Sequence, residues 1–343
     1  MLSHILSDHK ITYTKENFNN QIGVPLTLLS ATNDDDYVIV EAGTNSPGEI
    51  ESLVKLIKPD IAAVTNVGYA HLESFKTLDK IAKEKYSIFN YLKKNGLAII
   101  NAEDKYIGII KKRKKLFFGY KNHIGFFSKF SKVLKNLFYK TNFLIIEKIN
   151  NNIFIINYKK EEVCIKLNLK GDHNFLNVSC AASIAISLGI KINIIKQKIE
   201  TFEAVKSRLK LHKIDNNIII IDDCYNANPN SFFAALDYLS GLDGLKIVLM
   251  GDMAELGKDS VYFHVKVGEY AKKLGIHKFL SIGENSKFAS LVFGNQGYHF
   301  DDEENLKFFL TNNIKSSTFL LIKGSRSAKL EKFVEFLKTW SYS

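Results

Sequence analysis

The apolar positions of this chain fall into short β-branched runs separated by amphipathic stretches, and that alternation sets the fold class before any chemistry is considered. The run Val38-Ile39-Val40 ends on Glu41 and is followed by Ala42-Gly43 and a Pro47-Gly48-Glu49-Ile50 turn. It predicts a buried strand over 37–42 that delivers an acid to its C-terminal end. A helix is predicted over 48–57, a stop at Lys58-Pro59-Asp60 and a strand over 61–67. This β-α-β order implies parallel strands. From Thr77 to Lys94 the positions Leu78, Ile81, Ala82, Ile88, Phe89 and Leu92 share one helical face, with Gly96 placed to cap it. Leu97 to Ile100 reads as a further strand, and weaker runs near 142–146, 153–158 and 163–169 read as antiparallel strands at the edge of the sheet. The turn 170–177 then leads into an Ala-rich helix over 178–188.

Near residue 205 the pattern restarts. A strand over 218–221 ends on Asp222-Asp223, and a strand over 246–250 ends on Gly251-Asp252-Met253. Helices over 231–240, 260–274, 285–292, 303–312 and 327–339 alternate with further strands over 278–282 and 318–322. The chain is therefore expected to be α/β, with a first domain over 1–205 and a doubly wound, Rossmann-like second domain over 206–343.

Ligands of open α/β sheets sit at the C-terminal ends of the strands. Glu41 at the end of one strand, His71 just past another and Lys85 on the 77–94 helix converge on that edge, and an acid, an imidazole and a lysine suit a metal and a phosphate. A lone Glu at a strand end serves as readily as a helix cap or a solvated loop residue. Pattern alone leaves both readings open. The Gly171-Asp-His-Asn-Phe-Leu-Asn177 stretch likewise offers N–H groups and amides to an anion or a base, or simply caps its helix.

Composition narrows the function classes. A chain of 343 residues that is 46% hydrophobic can bury the cores of two domains. No run of 18 apolar residues occurs and the first ten residues lack signal-peptide features, so a cytoplasmic protein without membrane insertion is expected. Cys164, Cys180 and Cys224 are far apart and suit neither a disulfide framework nor a thiolate metal site. The net charge of +11 raises a nucleic-acid reading, but residues 105–140, with ten Lys, one Arg and no acid, carry all of it. A solvated basic insertion explains that segment, and no nucleic-acid partner is expected.

Seven stretches in order give a more specific answer. They are Asn17-Phe-Asn-Asn-Gln-Ile-Gly-Val-Pro-Leu-Thr-Leu-Leu29, the Glu41 strand with Pro47-Gly-Glu-Ile50, Thr65-Asn-Val-Gly-Tyr-Ala-His-Leu-Glu73 and Gly171 to Asn177. Asp222-Asp-Cys-Tyr-Asn-Ala-Asn-Pro229, Gly251-Asp-Met-Ala-Glu-Leu-Gly257 and Lys323-Gly-Ser-Arg-Ser327 complete the set. Together they resemble the Mur ligases, and within them the branch that joins D-alanyl-D-alanine to UDP-N-acetylmuramoyl-tripeptide. The resemblance implies an ATP- and Mg2+-dependent ligase with an ATPase-type central domain and a Rossmann-like C-terminal domain. It implies that Glu41 and His71 hold magnesium and that Lys85 is carbamylated beside it. It also implies nucleotide contacts from Asn174, Asn177, Arg208 and Asp223, completed by closure of a hinge, and D-alanyl-D-alanine contacts from Tyr225, Asn226 and Asn228.

One departure bears on activity. The family's Walker A loop, G-x-x-G-K-[ST], is not present in the 343 residues, and Gly257-Lys258 lacks its preceding glycine pattern. The resemblance runs from just after that loop, so an incomplete P-loop-type central domain is expected, short of the loop and of the UDP-binding domain before it. Two functions follow: a ligase whose missing part is encoded upstream or supplied by a separate chain, or a non-catalytic remnant.

Overall fold

Fourteen strands among the described residues build the protein, which the computed structural model describes over residues 1–110, 114–122, 143–203, 207–215, 218–314 and 317–340. They separate into two units: Met1–Gly68 with Ser74–Glu203, and Tyr69–Glu73 with Ala204–Ser343. The five residues Tyr69–Glu73 thus belong by their contacts to the second unit, although they lie within the sequence of the first.

In the first unit the strands are β1 (Ile11–Tyr13), β2 (Tyr37–Ile39), β3 (Ile61–Val64), β4 (Leu97–Asn101), β5 (Lys114–Tyr120), β6 (Phe143–Lys148), β7 (Ile153–Tyr158) and β8 (Glu161–Lys166). β1 and β2 form a parallel pair of their own, and β3 to β8 form a six-stranded sheet in sequence order. β3 to β6 are parallel, and β7 and β8 turn back antiparallel. The middle strands are apolar on both faces because both are covered: Ala98, Ile99 and Ile100 of β4 are all buried. The helix His173–Ser187 packs on this sheet, with small Ala181, Ala182 and Ala185 buried and the Phe175 ring 4.9 Å from that of Phe154.

Three expectations are corrected here. Part of the basic stretch, Lys114–Tyr120, is a paired strand between β4 and β6 with Leu116 and Phe118 buried, because lysines at one end do not spoil an apolar LFF core. The remainder of that stretch between residues 123 and 140 lies outside the described residues. The 142–146 run is not antiparallel to its inner neighbour: β6 pairs parallel with β5. The helix over 77–94 ends at Tyr86 and continues as a 3-10 turn, Ser87–Tyr91.

The second unit has one six-stranded sheet in the order β13-β12-β11-β14-β10-β9, comprising β9 (Lys210–Asp215), β10 (Ile218–Asp223), β11 (Leu245–Gly251), β12 (Lys278–Ile282), β13 (Gly297–Phe300) and β14 (Thr318–Lys323). All pairs are parallel except β9 with β10. The chain winds outward from β11 to β13 and returns to lay β14 between β11 and β10. The C-terminal ends of β10, β11 and β14 therefore sit side by side at the reversal of strand order, where such sheets open a crevice. Gly251 and Gly324 let two of these ends meet closely: a Cβ on Gly251 would lie 2.8 Å from the Ala328 methyl, and one on Gly324 would lie 3.2 Å from the Gly251 Cα.

Candidate functional site

Glu41 leaves β2 along an exposed loop whose geometry is fixed by Asn19. The Asn19 amide donates to Glu41 Oε1 at 2.8 Å, and the Asn19 carbonyl accepts the Gly43 N–H at 2.7 Å. A side chain at Gly43 would strike the Asn19 amide at 2.8 Å, which explains why glycine follows the acid so closely. The Thr14 hydroxyl accepts the Glu41 N–H at 2.9 Å. The Asn-rich stretch Asn17–Asn20, quoted from sequence only as a motif, thus braces the Glu41 carboxylate through Asn19.

Lys85 lies in the last turn of the helix Leu78–Tyr86, half-buried, with Nζ donating to the Asn66 carbonyl at 3.2 Å. Burial lowers its ammonium pKa from the ordinary lysine value, and the Asp104 charge offsets part of that. Two buried groups around it were missed by sequence reasoning. Glu84, 8% exposed, accepts the Gly48 N–H on Oε2 and the Ile50 N–H on Oε1, both at 2.8 Å, and so occupies the N-terminus of the helix Glu49–Ile57. Gly48 meets this demand at φ 89°, a left-handed value that suits glycine. Asp104 accepts the Tyr106 N–H on Oδ1, and its nearby charge, after desolvation, helps to raise the Tyr86 phenol. Nothing in the spacing of Glu84 or Asp104 separates them from surface acids.

Asn174 and Asn177 stand on the first turns of the helix His173–Ser187, which begins five residues earlier than its sequence pattern implies. The turn 170–177 is therefore mostly helix, because polar residues occupy the solvent side of its first turns. Asn174 donates to the Lys170 carbonyl at 2.7 Å and accepts from Asn177 at 3.2 Å, so the two amides orient one another.

His71 belongs to the second unit. It holds φ 56°, in the left-handed region, and its Nδ1 lies 2.5 Å from Glu255 Oε2. The Glu73 N–H donates to the Glu255 carbonyl at 2.9 Å, the Tyr69 N–H to Asn230 Oδ1 at 3.1 Å, and the Tyr69 ring lies 4.9 Å from that of Phe263. The His71 hydrogen bond holds the Glu255 carboxyl below its ordinary range. Glu41 and Lys85 lie in the first unit. Among the described residues no three His, Cys, Asp or Glu side chains converge as a ready metal site.

At the end of β10 the structure brings together Arg208, Asp223 and Tyr225. The Arg208 guanidinium lies over the Tyr225 ring at 4.5 Å, and the Tyr225 N–H donates to the Ser207 carbonyl at 3.0 Å. Ser207 and Leu209, either side of Arg208, both take left-handed φ values of 57° and 51°, a strained backbone that holds the arginine outward. Asp223 accepts the Leu209 N–H at 3.1 Å and pairs with Lys323 Nζ at 2.6 Å. Lys323, named in a motif but given no role by it, also donates to the Asn226 carbonyl at 3.0 Å. Beneath them the buried Asp222 accepts from the Ser207 hydroxyl and the Cys224 N–H. The Asn226 side-chain oxygen accepts the N–H of Ala227, and Asn228 caps the helix Pro229–Ser240 in a reciprocal pair with Ser231. The oxygen of Asn228 is thereby committed to the fold.

The turn after β11 is pinned as firmly. Asp252 Oδ1 accepts the N–H groups of Asn285 and Ser286, and its carbonyl accepts that of Ser325. The buried His264 accepts the Met253 N–H on Nε2 at 3.0 Å and donates from Nδ1 to the Ser260 carbonyl at 2.8 Å. Desolvation lowers its pKa, which agrees with a neutral ring that both accepts and donates.

The Mur ligase middle domain matches residues 1–185, and the Mur ligase, glutamate ligase domain matches 207–326. The UDP-N-acetylmuramoyl-tripeptide--D-alanyl-D-alanine ligase of Escherichia coli is 37% identical over 332 residues, 95% of this chain and 70% of that protein. The ligase of the same name from Bacillus subtilis is 27% identical over 96% of this chain and 70% of its own length. A crystal structure of MurF from Acinetobacter baumannii superposes with a TM-score of 0.87 at 27% identity, covering 99% of this chain and 73% of that one. The chain thus spans about seven-tenths of the length of these relatives, and it belongs to the Mur ligase family.

Proposed function

We propose that the chain works as an ATP-dependent ligase that joins D-alanyl-D-alanine to UDP-N-acetylmuramoyl-tripeptide in the cytoplasm, with Mg2+ as its metal. The observation that carries this reading is the 37% identity to the Escherichia coli ligase along 95% of the chain. The reaction transfers the γ-phosphoryl group of ATP to the terminal carboxylate of the tripeptide, releasing ADP. The D-alanyl-D-alanine amine then attacks the acyl phosphate, and phosphate leaves from the tetrahedral intermediate as the amide forms.

By chemistry Glu41, His71 and a carbamylated Lys85 are each able to ligate magnesium, although among the described residues they form no converged cluster. Glu41 offers a braced, exposed carboxylate, and burial of Lys85 favours the neutral amine that takes up carbon dioxide to give a carbamate oxygen donor. His71 is the third candidate ligand. A magnesium ion held by these residues would offset charge on the transferring phosphoryl group. Arg208 and Asp223 serve the phosphate and ribose of the nucleotide, Asn174 and Asn177 its base, and Tyr225, Asn226 and Asn228 the D-alanyl-D-alanine end. Lys323 positions Asp223.

The lack of a G-x-x-G-K-[ST] stretch in the 343 residues favours one refinement. Phosphoryl transfer of this kind would need the phosphate-cradling backbone, lysine and hydroxyl of such a loop, so activity calls for a partner chain that carries them, and the alternative is a non-catalytic remnant. Incubation with both substrates, ATP and Mg2+, with and without the N-terminal portion of the Escherichia coli ligase added as a separate chain, tests this by the mass of the product. Ligated product only in the supplemented mixture is the expected result; no product in either, with a folded protein, rejects the ligase reading.

A further inference from the structure

Asp222, at the end of β10, is a charged side chain only 3% exposed, and the nucleotide site proposed above uses only its neighbour Asp223. A carboxylate is costly to bury unless its oxygens are hydrogen-bonded, and here both are engaged. Oδ1 accepts the Cys224 N–H at 3.2 Å. Oδ2 accepts the Ser207 hydroxyl at 3.0 Å and lies 3.5 Å from Nε2 of His212, on the adjoining strand β9. That imidazole nitrogen is buried and makes no hydrogen bond among the described residues, so the Asp222 charge is what it faces.

The bond to Ser207 bears on Arg208. Ser207 and Leu209 take φ values of 57° and 51°, a left-handed conformation that side-chain-bearing residues keep only when neighbours hold them in it. Asp223 holds Leu209 through its N–H at 3.1 Å. Asp222 holds Ser207 through its hydroxyl, and the Ser207 carbonyl accepts the Tyr225 N–H at 3.0 Å. Successive residues of a strand point to opposite faces, so the two acids grip the two flanks of Arg208 from either side of the sheet. Between these buried flanks the Arg208 side chain is exposed, with its guanidinium over the Tyr225 ring at 4.5 Å.

We propose that Asp222 is a positioning residue: acting through Ser207 and backed by His212, it fixes the backbone that aims Arg208, so that the guanidinium meets a nucleotide phosphate already ordered. Ordering one rotamer-rich side chain on binding costs affinity, and the brace removes that cost in advance. Its effect therefore falls on nucleotide affinity and not on the chemical step. The proposal rests on the reading of Arg208 as a phosphate contact for its ligand, while the brace itself is independent of that reading.

Two measurements separate them. The chain holds only Arg113, Arg208 and Arg326, so arginine-labelled full chain gives NMR side-chain signals that are simple to assign. The Tyr225 ring shifts the Arg208 δ-methylene signal upfield, and Tyr225→Leu cancels that shift. Ser207→Ala, which removes one hydroxyl and leaves the circular dichroism unchanged, cancels most of it as well; Asp222→Ala does the same, and Ser207→Ala decides the matter if that variant fails to fold. An Arg208 signal unmoved in folded Ser207→Ala overturns the proposal. In the ligation assay with the N-terminal portion of the Escherichia coli ligase added, Ser207→Ala raises KM for ATP about fivefold, the scale of re-ordering one long side chain, and leaves kcat little changed. A loss confined to kcat overturns the proposal. A displaced Arg208 signal with an unchanged KM for ATP keeps the brace and rejects Arg208 as the phosphate contact.

Discussion

Lys323 Nζ lies 2.6 Å from Asp223 Oδ2, with the lysine side chain 2% exposed and the aspartate 13%. The pair ties the end of β14 to the end of β10, which are register neighbours, so the crevice edge of the second sheet is closed by an ion pair as well as by its ladder. Replacing Lys323 by Met strands a largely buried carboxylate. Removing one partner of a buried pair costs about 3–5 kcal/mol, and the Leu209 N–H and the residual exposure of Asp223 bring the expected loss to about 3 kcal/mol. Urea unfolding of Lys323→Met checks this; a loss under about 1 kcal/mol would mean that the pair is solvated and does not hold the edge.

Glu84 fastens the Pro47-Gly48 turn to the helix that presents Lys85, through two N–H groups that have no intrahelical partner. Glu84→Ala leaves the buried Ile50 donor unpaired, at about 1–3 kcal/mol for such a group, while the exposed Gly48 N–H turns to water. The expected result is a destabilisation of about 1–3 kcal/mol together with faster hydrogen exchange at Gly48 and Ile50. Unchanged exchange at those two amides would count against Glu84 as the fastener.

The sequence made the α/β alternation and the parallel strands of the second sheet legible, because each rests on apolar runs that stay apolar whichever partner they meet. β1, β5, β9 and β13 were not anticipated. They are short, or begin in lysines, or alternate weakly, and only pairing with a neighbour makes them strands. The position of a candidate residue was legible where it follows an apolar run: Asp223 ends β10, and Glu41 stands two residues past β2 on an exposed loop. It was not legible where position depends on distant chain: nothing local to Asn19 shows that it braces Glu41, and nothing local to His71 shows that Glu255, 184 positions on, is its partner. The split between β2 and β3 is of the same kind, since strand order is absent from any local pattern.

His264 gives the second unit a dependence on pH. Its pKa is lowered from the ordinary 6.5 by desolvation, so the unfolded chain takes up a proton that the folded ring resists. Stability is therefore full above about pH 6.5 and falls as pH drops below it, by up to about 1.4 kcal/mol per unit until the folded ring itself titrates. Protonation at Nε2 also breaks the bond from the Met253 N–H. Urea midpoints at pH 7.5 and 5.5 are expected to differ, and by less in His264→Gln, whose side-chain oxygen accepts without titrating. Equal pH slopes in the two proteins would assign the dependence to other groups.

Lys85 offers the sharpest chemical test, because its proposed role requires a change of charge. As an ammonium it would repel a cation beside Glu41; as a carbamate it is an oxygen donor of the kind magnesium prefers. Burial already weakens the ammonium, and a neutral amine is the species that adds carbon dioxide. Activity of the complete ligase is therefore expected to fall when bicarbonate and dissolved carbon dioxide are stripped and to return when they are restored. Lys85→Ala is expected to abolish ligation, with partial recovery on adding acetate or formate, which place a free carboxylate where the carbamate stood. Lys85→Arg keeps the positive charge but cannot form the carbamate, so it separates the two roles: arginine should be as inactive as alanine. Substantial activity in Lys85→Arg would show that a cation suffices at this position and that no carbamate is formed.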